Sequence, residues 1–189
     1  MISAILLAAG KSTRMNGINK LTKEIKGTPT IKHSIKNILS SSVNELVIVL
    51  GYENKIVEKL IDKNPKIKII FNDNFKNGIA SSIKIGLENI SDKAEAFFIC
   101  LADMPMVNHN TYNKMIESRN IKEIIVPNYK GEKGNPVLFS KSMKNEIISI
   151  KGDLGAKKII KSNKNKVLNL ETNDQGVTID FNTQDSFKL

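Results

Sequence analysis

The chain has 189 residues, of which 40% are hydrophobic and 25% are charged, a balance typical of one globular domain. No apolar stretch approaches the ~20 residues of a membrane-spanning helix, and the run at residues 5–9 lacks the basic flank and cleavage site of a signal peptide. The net charge is +10, but the lysines are scattered and aromatic residues are only 5%, which argues against nucleic-acid binding. We expect one cytoplasmic domain over residues 1–189, with neither a nucleic-acid nor a membrane partner.

The few sulfur and imidazole side chains exclude several kinds of chemistry. Cys100 is the only cysteine, so no disulfide can form within the chain, and it lies in the apolar run "AFFICLAD". We interpret it as a small buried hydrophobic residue. With only two histidines, His33 and His109, a metal site of the Cys/His type is excluded by count.

Short apolar runs alternate with amphipathic stretches, which predicts strands followed by helices. Strands are expected at residues 3–9, 45–51, 66–72, 94–103, 123–129, 134–140, 166–172 and 176–181, and helices at 30–41, 54–64, 78–90, 109–120, 141–150 and 154–163. Strands that are apolar throughout are typical of a parallel sheet covered on both faces. We therefore expect an α/β fold with three layers, α/β/α, around a mostly parallel, Rossmann-like sheet.

In such a sheet, ligands bind beyond the carboxyl ends of the strands. The residues at those predicted ends are 8–10, Gly51, Asn72 and Asp103. They are the first candidates for a binding site.

The first strand leads into "GKST", which resembles the end of a P-loop. The P-loop pattern G-x-x-x-x-G-K-[ST] would require a glycine at position 5, where Ile5 lies in the middle of the strand. The dinucleotide pattern G-x-G-x-x-G is absent as well. The small residues Ala8, Ala9 and Gly10 would instead let a ligand approach the backbone, and amides of this turn could form an anion-binding nest. An ordinary strand-to-helix turn with solvated basic residues is the alternative.

Two basic side chains of this loop suit a nucleotide phosphate. Arg14 is one of only two arginines in a lysine-rich chain, which suggests a planar, bidentate contact. Lys20 would add a second positive charge against a triphosphate.

The loop "LAAGKSTRMNGINKL" resembles the signature L-A-A-G-x-S-x-R-M-G-x-x-K-L of the nucleotidyltransferases that act on molybdenum cofactor, the MobA-like NTP transferase family. Its Ala-Ala-Gly is similar to the cytidylyltransferase branch, whereas the guanylyltransferase branch usually has Ala-Gly-Gly. Later segments resemble the family in the same order: "VIVLGYE", "FNDNFKNGIASSIKIGL", "CLADMPMV", "IIVPNYKGEKGNPVLF", "IKGDLGAKKII" and "GVTIDFNTQDSF". The resemblance covers nearly the whole chain and implies a sheet of the nucleotide-diphospho-sugar transferase type.

The resemblance implies a nucleotidyl transfer in which the terminal phosphate of molybdopterin attacks the α-phosphate of CTP and pyrophosphate leaves. Arg14 would hold the pyrophosphate, Lys20 would bind the α-phosphate, and Mg²⁺ would bridge the phosphates through hard oxygen ligands. The implied partners are CTP, molybdopterin or molybdenum cofactor, and a recipient molybdoenzyme or its chaperone. The implied catalytic residues are Arg14, Lys20 and Asp103.

Asp103 is the leading metal ligand, because an unpaired carboxylate at the end of an apolar strand would be costly. A helix cap is the alternative interpretation. The closing motif of the family aligns Asp180 with its first aspartate and Asn182 with its second, so either could be the second ligand. A simple turn at "DFNT" would explain these residues equally well.

The implied nucleotide-binding residues are Leu7, Ala8, Ala9, Gly10, Arg14, Lys20, Asn72, Gly78, Ser81, Ser82 and Asp103. Ser81 and Ser82 could instead be helix-entry residues that satisfy backbone amides. The implied acceptor-binding residues are Asn135, Pro136, Asp153 and Lys157, with Asp153 either an acceptor contact or a loop anchor. Asn135 replaces the usual histidine of the family, and Lys157 replaces its usual arginine. Both departures concern the acceptor more than the nucleotide.

Three other functions remain compatible with the sequence. The first is another nucleotidyltransferase of the same fold, using GTP or a sugar or polyol phosphate. The second is a protein that binds molybdopterin and delivers it without turnover. The third, a P-loop NTPase, is disfavoured by Ile5.

Overall fold

The computed structural model describes residues 1–12, 18–152, 155–183 and 185–187. An eight-stranded sheet crosses the protein in the order β10-β7-β9-β6-β1-β4-β5, with β8 paired to β7. Its strands are β1 (Ile2–Ala8), β4 (Glu45–Leu50), β5 (Ile67–Phe71), β6 (Ala96–Leu101), β7 (Ile124–Tyr129), β8 (Glu132–Lys133), β9 (Val137–Ser140) and β10 (Val167–Glu171). The strands β2 (Glu24–Ile25) and β3 (Thr28–Pro29) form a separate small hairpin.

Most neighbouring strands of the sheet are parallel, as predicted. β1 pairs in parallel with β4 and β6, β4 with β5, and β10 with β7. β9 is antiparallel to both of its neighbours, and β8 is antiparallel to β7. The carboxyl ends of β5, β4, β1 and β6 therefore lie side by side along one edge.

Helices cover both faces of the sheet. They are α1 (Thr30–Leu39), α2 (Asn54–Glu58), α3 (Ile79–Asn89), α4 (His109–Glu117), α5 (Lys144–Ile148) and α6 (Lys157–Ser162). No helix in the described part of the chain is both long and apolar enough to span a lipid bilayer.

The two helical layers exist because successive residues of a strand point to opposite faces. Along β1, Ala4 and Leu6 pack into a core with apolar residues of α1 and α4, whereas Ile5 and Leu7 pack into a second core with residues of α3, α5 and α6. Because both faces are covered, all seven residues of β1 are buried. The three-layer α/β/α fold is confirmed.

One predicted helix was too long, and one predicted strand was wrong. The helix expected at residues 54–64 ends at Glu58, because the amides of Leu60 and Ile61 bond three residues back and tighten the chain into turns. The strand expected at residues 176–181 is not a strand: residues Gln175–Thr178 form a 3₁₀ turn. Val177 of this turn is buried in the core, although the segment takes no part in the sheet.

Candidate active site

Four parallel strands bring the predicted binding residues to one edge of the sheet. Ala9 follows β1, Asn72 follows β5, and Asp103 lies two residues beyond β6. The amide of Tyr52, beyond β4, donates to the carbonyl of Ala9 at 3.2 Å, and the amide of Asn72 donates to Leu50 at 2.8 Å. These bonds hold the strand ends together as the floor of the site.

Lys20 lies at the centre of a polar cluster on this edge. Its Nζ donates to Oδ2 of Asp103 at 2.5 Å and to Oδ1 of Asn182 at 2.6 Å. The side chains of Lys20 and Asp103 are only 17% and 14% exposed. Residues that are 83 and 162 positions apart in the sequence therefore converge on one ammonium group.

The chain after β10 carries Asp180 and Asn182 to Asp103. The amide of Phe181 donates to the carbonyl of Asp103 at 2.8 Å, and the ring of Phe181 is completely buried. The side-chain amide of Asn182 donates to Asp180 Oδ2. The structure thus groups both candidates for the second metal ligand with Asp103, and it places Asn182 nearer to Lys20.

Close backbone packing holds this segment in place. The amide of Asn135 donates to the carbonyl of Val177 at 2.9 Å. A Cβ atom on Gly134 would lie 2.2 Å from that carbonyl oxygen, and a Cβ atom on Gly176 would lie 2.2 Å from the carbonyl oxygen of Met106. Only glycine allows the backbones to approach so closely at these two positions.

The described parts of the opening loop are joined at its base. The amide of Lys20 donates to Oγ of Ser12 at 3.1 Å, and Ser12 adopts a left-handed conformation with φ of 52°. Gly10 is exposed, whereas Leu7 is in the core and its carbonyl accepts from Ala102. Arg14 lies outside the described residues.

Asn72, Ser81 and Ser82 form a hydrogen-bonded group between β5 and α3. Nδ2 of Asn72 donates to both serine hydroxyls at 2.9 Å, and Oδ1 accepts from the amide of Asn74 at 3.0 Å. Gly78, at the start of α3, has a φ of 92° that suits glycine. The hydroxyl of Ser81 also contacts the carbonyls of Asn74 and Gly78, so the polar atoms of this group have partners within the protein.

A cavity of about 790 Å³ adjoins the cluster through Asp180. Its floor is aliphatic, and its rim is lysine-rich. The aliphatic residues are Ile79, Ile83, Ile99, Leu101, Met104, Val126, Val137, Ile160, Val167 and Val177, and the lysines are Lys133, Lys157, Lys161 and Lys164. Two predicted acceptor residues, Asn135 and Lys157, line it; Pro136 follows Asn135 through a cis peptide bond, and Asp153 lies outside the described residues.

Sequence reasoning missed the other lysines of the rim. Lys157 and Lys161 are four residues apart, the spacing that places side chains on one face of a helix. That spacing was the available signal, and the overall abundance of lysine concealed it. Cys100 takes no part in the site: it is buried, and burial raises the pKa of its thiol to about 12.

The donor chemistry of the cluster fits a divalent cation. Asp103 and Asp180 offer carboxylate oxygens and Asn182 an amide oxygen, which are hard ligands of the kind that Mg²⁺ prefers. Within the described chain, no group of three His, Cys, Asp or Glu side chains is arranged to hold a metal. A cation here would therefore use Asn182 and further oxygens from a bound molecule.

The fold, the polar cluster around Lys20 at the strand ends and the adjoining cavity are those of a nucleotidyltransferase. Residues 4–167 match the model of the MobA-like NTP transferase domain, and the chain belongs to that family. Among curated proteins, it is 29% identical over 140 residues to the molybdenum cofactor cytidylyltransferase of Escherichia coli, covering 74% of this chain and 70% of the relative. It is 26% identical over 195 residues to the purine catabolism protein PucB of Bacillus subtilis, covering 98% and 93%.

Other proteins match this chain over only part of their own length, or match it in fold. The bifunctional protein GlmU of Staphylococcus epidermidis is 26% identical over 143 residues, and the match covers 75% of this chain but only 31% of GlmU. The crystal structure of Rv0371c from Mycobacterium tuberculosis superposes with a TM-score of 0.87 at 24% identity, covering 99% of this chain and 95% of that one. A manganese complex of the same mycobacterial protein gives a TM-score of 0.83 at 23% identity, with coverage of 99% and 96%.

Proposed function

We propose that the protein transfers CMP from CTP to the terminal phosphate of molybdopterin or molybdenum cofactor, giving molybdopterin cytosine dinucleotide and pyrophosphate. The observation that carries the proposal is the contact of Lys20 with Asp103 and Asn182 at the strand ends, beside a cavity large enough for a second substrate. The similarity to the Escherichia coli cytidylyltransferase supports the choice of base and acceptor.

The reaction forms one bond and breaks one. An oxygen of the acceptor phosphate attacks the α-phosphorus, the bond from that phosphorus to the bridging oxygen breaks, and pyrophosphate leaves with the electron pair. The attacking phosphate is already an anion, so the protein has to align the reactants and stabilise charge more than remove a proton. Lys20 would stabilise negative charge on the α-phosphate.

Nucleotide recognition would involve the exposed Gly10 with its neighbours Ala8 and Ala9, the start of α3 at Gly78, and the serine hydroxyls beside Asn72. Arg14 would hold the leaving pyrophosphate. Asp103 with Asn182 or Asp180 would hold Mg²⁺, which supplies charge neutralisation for the phosphates when it is bound. The manganese complex of the mycobacterial protein supports a divalent ion in this fold.

The cavity supports an acceptor that combines the flat face of a ring system with an anionic group. Its aliphatic floor suits the face of a pterin ring, and its lysine rim suits a phosphate. A sugar or polyol phosphate would leave hydroxyl groups against aliphatic side chains, which is unfavourable. The same transfer with GTP or another phosphorylated acceptor is the second candidate, and the departures at Asn135 and Lys157 from the residues usual in the family bear on the acceptor. A recipient molybdoenzyme or its chaperone would take the product.

The test supplies Mg²⁺, molybdopterin or its molybdenum-loaded form, and CTP, GTP, ATP or UTP in turn, and measures pyrophosphate and the dinucleotide. We expect release with CTP. Release with GTP alone would refute the choice of base, and binding of CTP without release would refute this acceptor or indicate a carrier protein.

The site assignment is tested with Lys20→Ala and Asp103→Ala, which should abolish turnover in folded protein. Lys32→Ala is the matched control, because Lys32 forms a comparable but exposed ion pair with Asp62 at 2.9 Å. Normal turnover in either site variant would contradict the assignment.

A further inference from the structure

Asp103 and Asn182, the residues proposed to bind a divalent cation, already share a cation that belongs to the protein. Nζ of Lys20 lies 2.5 Å from Oδ2 of Asp103 and 2.6 Å from Oδ1 of Asn182, so both oxygens are in direct contact with its ammonium group. A divalent ion bound by the same two oxygens would occupy the same place. Lys20 and the ion therefore compete for one position.

The charges of the cluster favour Lys20 in the free protein. Asp103 is the carboxylate that contacts the ammonium in the described structure, and Asn182 contributes an uncharged oxygen. Asp180 contacts the amide nitrogen of Asn182. The contact pair of Lys20 and Asp103 is neutral, so a divalent ion that binds Asp103 would first have to displace a salt bridge.

A nucleoside triphosphate removes this barrier. Its phosphates provide both an alternative partner for Lys20 and further oxygen ligands for the ion, and Mg²⁺ is commonly held by one or two carboxylates together with substrate phosphates. We infer that Lys20 and the uncharged Asn182 prevent a divalent cation from binding tightly by itself, so that the cation enters this site together with the triphosphate. Lys20 then exchanges Asp103 for a phosphate.

This inference rests on the proposed function in one respect, that a nucleoside triphosphate binds at these strand ends. It depends on neither the base nor the acceptor. It assigns Asn182 a role in setting the order of binding, because an aspartate there would add a negative charge beside Asp103 and give the ion a binding site independent of nucleotide.

The experiment measures Mn²⁺ affinity without nucleotide, from the loss of the electron paramagnetic resonance signal of the free ion. Lys20→Met and Asn182→Asp are each expected to bind Mn²⁺ tighter than the wild type by about tenfold or more, because each makes the site more negative by one charge. The controls are Lys32→Met, which removes a lysine from the exposed pair with Asp62, and Asn120→Asp, which adds a carboxylate at an exposed turn. Both controls should match the wild type.

A second measurement follows the relaxation rate of water protons, which rises when Mn²⁺ tumbles with the protein. For the wild type we expect a large rise only when a triphosphate is present, with CTP, GTP, ATP and UTP each tested. A tight Mn²⁺ site in the nucleotide-free wild type would overturn the inference. Equal Mn²⁺ affinities for Asn182→Asp and Asn120→Asp would overturn it as well, and this comparison stands even if Lys20→Met fails to fold.

The two proposals fail in different ways. If the protein shows the expected Mn²⁺ affinities but releases no pyrophosphate, this inference stands and the proposed function is wrong. If the protein releases pyrophosphate with CTP and molybdopterin but binds Mn²⁺ tightly without nucleotide, the proposed function stands and this inference is wrong.

Discussion

The substitution Gly134→Ala tests whether the segment that carries Asp180 and Asn182 must pack closely to complete the site. The new Cβ atom would lie 2.2 Å from the carbonyl oxygen of Val177, whereas ordinary contact begins at 3.4 Å, so the two backbones would have to separate by about 1.2 Å. The hydrogen bond from Asn135 to Val177, now 2.9 Å, would then be lost.

The expected cost follows from these two effects. Overpacking costs about 1–3 kcal/mol and the lost hydrogen bond about 1 kcal/mol, so the free energy of unfolding should fall by about 2–4 kcal/mol. A displacement of about 1 Å at Asp180 and Asn182 should also reduce turnover by about a hundredfold in protein that is still folded. Urea unfolding with an unchanged m-value measures the first effect, and pyrophosphate release measures the second.

Gly86→Ala is the matched control. Its Cβ atom would lie 2.5 Å from a methyl group of Ile5, in the core beneath α3 and away from the C-terminal segment. The overpacking of about 1–3 kcal/mol is partly offset by about 1 kcal/mol of helix propensity, and turnover should be unchanged. Normal turnover in a destabilised Gly134→Ala variant would refute the role of this packing, and unchanged stability would refute the close approach itself.

Burial raises the pKa of the Cys100 thiol to about 12, so this thiol should resist aromatic disulfide reagents at pH 8 until urea unfolds the chain. Rapid labelling of the folded protein would contradict its burial. Because the unfolded chain releases this proton first, the free energy of unfolding should fall as the pH rises from about 9 toward 12, and less steeply in Cys100→Ala. Charge reversal by Lys157→Glu should raise KM for the anionic acceptor but not KM for the nucleotide. Lys158→Glu, exposed on the same helix, should raise neither KM value. Equal effects of the two substitutions would rule out a specific role for the rim. Asn72→Ala should lower the free energy of unfolding by about 1–3 kcal/mol in urea titrations, since it deprives two serine hydroxyls of α3 of their donor, and an unchanged value would show that water replaces that donor.

The local pattern of the chain predicted most of the fold. Alternating apolar and amphipathic stretches placed β1 and α3 within two residues of their observed ends, because burial on two faces requires strands that are apolar throughout. The pattern failed at residues 176–181, where a 3₁₀ turn buries the neighbouring residues Gly176 and Val177. It also missed the hairpin of β2 and β3, whose two-residue strands are too short for a period to appear.

The sequence also predicted most members of the candidate site, through the strand ends and the resemblance to a family. It named Lys20, Asp103, Asp180 and Asn182 but left open which of the last two accompanies Asp103. It did not predict that Lys20 would bridge Asp103 and Asn182, since that contact joins three distant parts of the chain. The rim lysines Lys161 and Lys164 were not selected, because lysine is so abundant in this chain that the residue type alone gave no reason to prefer them.

The sequence by itself determined the type of most elements, the identity of the chemical groups and the edge of the sheet at which they gather. These follow from local periodicity and from the rule that parallel strands end on the same side. Only the tertiary structure decided which groups touch: the contact of Phe181 with Asp103, the close backbone approach at Gly134 and the position of the Lys20 ammonium. Such contacts depend on packing between segments far apart in the chain, and no local pattern of residues determines contact distances to within a few tenths of an ångström.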